Sequence, residues 1–153
     1  MKKTIFMKVL LIAFPVLAVG LATTVNSVTV FDTVTSQTQY FSYFNELPVE
    51  NLKMVLPLTG MLALISGVLA VVYLAKKNLN MLKAAGYAAL ASSCLAAVPM
   101  MVRGDVLVIP NVGLPIFMVL EYLVAYLLEK DEKAREEKLP KARKKNTPKA
   151  KKK

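Results

Sequence analysis

The chain has 153 residues, 56% of them hydrophobic, and a net charge of +10; soluble domains run at roughly 45–50% apolar residues. It has no histidine and a single cysteine, Cys94. An intrachain disulfide and a multi-cysteine metal site are thereby excluded, and the commonest general base and metal ligand are missing. No metal or cofactor is expected and the chain does not read as an enzyme.

The apolar residues are gathered into charge-poor runs, the pattern of helices that face lipid. The first helix is expected within residues 1–25, on an apolar run from Ile5 to Val25 interrupted only by Lys8. The same stretch has the basic start, apolar middle and small-residue end (Gly20-Leu21-Ala22) of a secretory signal peptide, so a helix that stays and a leader that is removed are both open. Residues 26–53 form a loop on the far side of the membrane. Alternation of Val28, Val30 and Val34 with Thr and Ser predicts a short strand or hairpin there. Tyr40, Phe41, Tyr43 and Phe44 follow and are expected to be interfacial anchors, because a ring with a polar edge suits the membrane–water boundary.

Three further spans are predicted at residues 54–75, 81–102 and 112–128. The first two are close to the ~20 residues needed to cross a ~30 Å hydrocarbon layer. The last is short, and the apolar Val106–Ile109 approach is expected to complete it in the interface. Gly60, Ala63, Gly67 and Ala70 make a small-residue stripe on one helix, and Ala85, Ala89, Ser92 and Ala96 make one on the next. Such stripes let membrane helices approach closely. Lysines set the orientation: three at the N-terminus, three in Lys76–Lys83 and 12 Lys/Arg from Glu129 onward, against Lys53 and Arg103 on the other side. By the positive-inside rule both termini are cytoplasmic. The fold class is therefore an all-α membrane protein, a four-span transmembrane bundle with N-in, C-in topology. The Met-Lys-Lys opening suggests a bacterial cytoplasmic membrane.

Glu121 is the most informative residue, since a charge at mid-span costs ~2.5–3.5 kcal/mol on insertion scales and is turned toward protein or water. Ser92 or Ser93 is expected at its depth as a hydrogen-bond partner, with Thr59 and Ser66 flanking. Two roles follow: a structural carboxyl that holds helices together, or a proton or cation site. Cys94, with no base near it, reads as a packing residue. In having four spans and a membrane glutamate the chain is similar to the small multidrug transporters. That family carries its glutamate in the first helix, so the likeness is architectural and transfers no residue.

Residues 129–153 form a tail, helical to about 139 and disordered beyond Pro140. Lys141, Arg143, Lys144, Lys145, Lys149, Lys151, Lys152 and Lys153 are eight bases with no acid among them, suited to anionic lipid headgroups at ~1 kcal/mol per base near the surface. The tail has no aromatic residue to stack on bases, which argues against specific nucleic-acid binding. The function expected is that of an accessory, scaffolding or regulatory membrane protein working through helix–helix and tail–lipid contacts. Its partner would be a larger membrane protein or further copies of itself. The alternative is an oligomeric transporter or channel built around Glu121.

Overall fold

A computed structural model of the chain describes residues 2–24, 26–46, 53–101 and 106–145. Among these it is mostly helical: α1 (Lys2–Thr23), α2 (Val55–Lys76), α3 (Leu79–Met101) and α4 (Gly113–Lys145). α1, α2 and α3 are long and apolar enough to cross a membrane. α4 is interrupted early by Glu121 and then by the charged run from Glu129, so length and composition alone do not qualify it. Three strands, β1 (Val28–Asp32), β2 (Gln37–Phe41) and β3 (Val106–Pro110), complete the described fold.

Each helix turns a stripe inward at intervals of three and four, which places those residues on one face. On α1 the stripe is Thr4, Met7, Leu11, Pro15, Ala18 and Ala22; on α2 it is Thr59, Ala63, Ser66, Ala70 and Tyr73. α3 contributes Leu82, Ala85, Ala89, Ser92 and Ala96, and α4 contributes Leu114, Met118, Glu121, Ala125 and Leu128. The helices pack in a ring, α1 on α2, α2 on α3, α3 on α4 and α4 back on α1, with α2 against α3 the most extensive pairing. Small residues dominate the inner stripes of α2 and α3, so their backbones come close. The large apolar side chains of Phe6, Val16, Met61, Val68 and Leu127 point outward and are exposed.

The predicted stripe on α2 is partly displaced. Gly67 faces Pro15 of α1, where an added Cβ would lie 3.2 Å from the proline ring, and Gly60 receives the Phe44 ring, where it would lie 2.9 Å away. The α2–α3 turn is short. Lys77 adopts a left-handed conformation (φ 51°) and its N–H donates to the Tyr73 carbonyl at 2.7 Å, closing α2.

The sheet stands at the other end of the ring. Its order is β2-β1-β3 with both pairings antiparallel, Thr29 lying between Tyr40 and Ile109. The alternating stretch forms β1 with Val34 in the turn that follows, and the partner strand β2 lies beyond it; Asp32 organises the turn by accepting the backbone N–H groups of Val34 (2.8 Å) and Thr35 (3.1 Å). Those two donors hold the Asp32 carboxyl below the usual carboxylate range. The expectation for 106–109 is corrected: this segment is a strand rather than the start of a span. Its backbone groups bond to β1, and Val108 is buried while Leu107 and Ile109 are exposed, the period-2 pattern of a strand.

α4 also runs farther than expected, through Pro140 to Lys145. A proline removes one hydrogen bond from the ladder, yet Lys141, Ala142, Arg143, Lys144 and Lys145 are all good helix formers. Lys149, Lys151, Lys152 and Lys153 of the basic tail, and Arg103 of the α3–β3 loop, lie outside the described residues.

Candidate functional site

Glu121 is fully buried. It lies on α4 at the level where the two apolar clusters of the interior meet. One cluster, toward the sheet, includes Ala63, Ala89 and Met118; the other, toward the lysine-rich helix ends, includes Ala70, Ala85 and Val124. Ser66 falls between Ala63 and Ala70 on α2, and its hydroxyl donates to Glu121 Oε1. The second oxygen, Oε2, is buried and has no hydrogen-bond partner among the described residues.

The expected partners of Glu121 are corrected by this geometry. Ser92 donates instead to the Thr59 carbonyl oxygen at 2.9 Å, tying α3 to α2, and Ser93 to the Pro115 carbonyl oxygen at 3.2 Å, tying α3 to α4. Thr59 turns its hydroxyl back to the Val55 carbonyl oxygen at 2.8 Å, a local bond within α2. Depth along the helix was the right criterion, and azimuth decided: Ser66 shares the inward stripe of α2 that Glu121 meets. Cys94 is exposed on the outer surface of α3 rather than packed inside.

The aromatic cluster divides. Tyr40 is exposed on β2. Phe41 is half-buried, and with Phe44 it packs on the cluster nearest the sheet. Tyr43 is fully buried; its backbone N–H donates to the Ala22 carbonyl (3.0 Å) and its hydroxyl to the Asn111 carbonyl (3.1 Å). Burial pushes its phenol above its ordinary range. Tyr43 and Phe44 therefore plug the sheet end of the ring, and the expectation of four outward-facing anchors is corrected for these two. An apolar approach to a glycine helix, Gly60, explains the inward turn of Phe44.

A second polar cluster forms at the opposite end; the i,i+4 order of Glu129 and Lys133 is visible in the sequence, and sequence reasoning missed the rest. Tyr73 donates to Glu132 at 2.6 Å, Lys8 Nζ stands 3.4 Å from the same carboxylate, and Lys8 also lies 5.8 Å from the Tyr73 ring centroid. Thr4 donates to Asp131 (3.1 Å) and accepts from Arg135 (2.6 Å), which pairs with Asp131 at 3.2 Å. Glu129 is shared by Lys133 at 2.5 Å and Lys83 at 3.5 Å; the Lys133 hydrogen bond is the main reason its carboxyl sits below the usual range. The signal was the spacing of Asp131, Glu132 and Arg135 on a helix that continues past the apolar run, opposite Lys8, the one charge inside the first apolar run. Half-exposed pairs of this kind contribute roughly 0–1 kcal/mol each. Lys8 and Thr4 tie α1 to α4, while Tyr73 ties α2 and Lys83 ties α3 to the same helix.

Two surface recesses accompany these clusters. An apolar groove of about 400 Å³ lies between α1 and α2, with Pro15 and Gly67 among its lining residues. A smaller cleft of about 40 Å³ lies between α3 and α4 beside Lys83 and Glu129. Glu121 lines neither. Among the described residues no group of three or more His, Cys, Asp or Glu side chains is placed to hold a metal.

The chain matches no protein-family model, no curated protein and no solved structure. Its function must therefore be read from its own residues.

Proposed function

We propose that the chain is a four-span membrane protein of accessory, scaffolding or regulatory type, with both termini and the lysine-rich helix ends in the cytoplasm and the three-stranded sheet outside. The observation that carries this reading is its apolar exterior. The interior sets Thr59, Ser66, Ser92 and Glu121 among buried apolar residues such as Leu11, Leu82 and Met118, yet Phe6, Val16, Met61, Val68 and Leu127 also face outward. Outside-facing apolar side chains on all sides are stable only in lipid or against other helices. Glu121 bonded to Ser66 acts as a joint between α2 and α4, and the basic end of the chain contacts anionic headgroups. The place is a cell membrane, and the tail is polybasic beyond Pro140.

A second reading, an oligomeric transporter or channel using Glu121, is supported by one observation: the unpartnered Oε2. A buried carboxyl oxygen without a donor is costly, and an exchangeable proton or a bound cation would relieve it. The first reading gains support from the sealed position of Glu121, apart from the groove and the cleft. Native mass spectrometry of the full chain extracted in mild detergent separates the two. A second protein retained at fixed ratio is expected for the accessory role; a homo-oligomer alone, whose transport is lost in Glu121→Gln, would overturn it.

A further inference from the structure

The cleft between α3 and α4 has a chemistry that the accessory role does not use. Gly86 and Tyr87 lie three and four residues beyond Lys83 on α3, and Tyr122, Tyr126 and Glu129 are spaced by four and three on α4, so each set lines the cleft from one side of its helix. The floor is closed because the helices touch there: a Cβ on Gly86 would lie 3.3 Å from Ala125 and 3.4 Å from Tyr122. The rim is open. Tyr87 is 64% and Tyr126 54% exposed, and phenol rings of this kind stand where hydrocarbon meets headgroup.

The charges of the cleft are of both signs. Glu129 Oε1 is held closely by Lys133 at 2.5 Å, while Lys83 stands 3.5 Å from the same oxygen with its side chain 38% exposed. Lys83 is thus the looser partner and has donors left for a further acceptor. At about 40 Å³ the recess admits little more than one water-sized group.

We propose that this cleft binds the headgroup of a phospholipid bearing a primary ammonium, with the ammonium in the recess against Glu129 and the phosphate on Lys83. A primary ammonium is small enough for the recess and brings three donors to a carboxylate flanked by tyrosine rings. The phosphodiester then meets Lys83 in a charge-assisted contact. A trimethylated ammonium is too bulky and donates nothing. A glycerol headgroup offers only neutral hydroxyls, so Glu129 gains no cationic partner in the recess. The inference rests on the proposed membrane crossing of α3 and α4, which brings the cleft to the headgroup layer.

The test is native mass spectrometry of the full chain with an equimolar mixture of phosphatidylethanolamine, phosphatidylcholine and phosphatidylglycerol. The expected result is several-fold preferential retention of phosphatidylethanolamine, falling stepwise as its nitrogen is methylated. Lys83→Ala and Glu129→Gln should each remove the preference, whereas Lys53→Ala at the sheet end should keep it. Equal retention of all three lipids, a preference for phosphatidylglycerol, or a preference indifferent to methylation would overturn the proposal. The methylation series uses the unaltered chain, so it decides even where a variant misfolds. A chain recovered soluble without detergent would instead defeat the membrane reading beneath it.

Discussion

Glu121 and Ser66 show how one hydrogen bond governs what a buried carboxyl can be. The interior around them is apolar on both sides, so each polar atom there must find a partner or incur a desolvation cost. Removing only the donor leaves both carboxyl oxygens unpaired. Ser66→Ala is therefore expected to destabilise the fold by about 1–3 kcal/mol, the usual cost of an orphaned buried group. Ser66→Ala combined with Glu121→Leu removes both polar partners and should restore most of that loss. Thermal unfolding in detergent of the single and double variants checks this. A double variant no more stable than Ser66→Ala would show that Glu121 contributes by something other than its bond to Ser66. That this carboxyl mattered was legible from its place in an apolar run. Its partner was not, because Ser66, Ser92 and Ser93 lie at similar depths and only the rotation of each helix about its axis separates them.

At the scale of elements, α1 is built into the interior. Leu11, Ala18 and Ala22 are fully buried, and the Phe14 ring stacks on Phe117 of α4 at 6.1 Å. Pro15 fills the space that Gly67 leaves, and Tyr43 takes the carbonyl of Ala22. Loss of residues 1–22 would open both apolar clusters and unpair Glu132 from Lys8 and Asp131 from Thr4. The intact mass of protein purified from membranes is expected to include α1; a mass corresponding to cleavage after Ala22 would contradict its structural role. The three apolar helices were legible from run length, and β1 from the alternation of Val28 and Val30, whereas Val34 falls in the turn and β2 lies beyond the alternating stretch. β3 was not, since five apolar-rich residues between two helical runs carry no period strong enough to separate a strand from an interfacial approach. Its strand character depends on β1 lying alongside, a contact between residues about eighty positions apart in the chain. The run of α4 through Pro140 was likewise hidden, because a single proline is read as a stop where good helix formers flank it on both sides.

For the whole molecule, the arrangement has two unlike ends. The sheet, with its plug of Tyr43 and Phe44, closes one end of the ring, and the interlocked ions of Lys8, Lys83, Glu129, Asp131, Glu132 and Arg135 stand at the other. The gathering of lysines at one end was legible in the lysine count alone. The plug was not, because aromatic residues beside a span suit an interfacial anchor as well as an internal seal. If the sheet is external and the lysine-rich end cytoplasmic, all four helices must cross the bilayer. The most direct test places single cysteines, Thr38→Cys in β2 or Asn78→Cys in the α2–α3 turn, in a Cys94→Ala background and probes intact cells with a membrane-impermeant maleimide. The account predicts that the cysteine at position 38 is labelled in intact cells and the one at position 78 only after the membrane is opened. Labelling of both positions from the same side would contradict it.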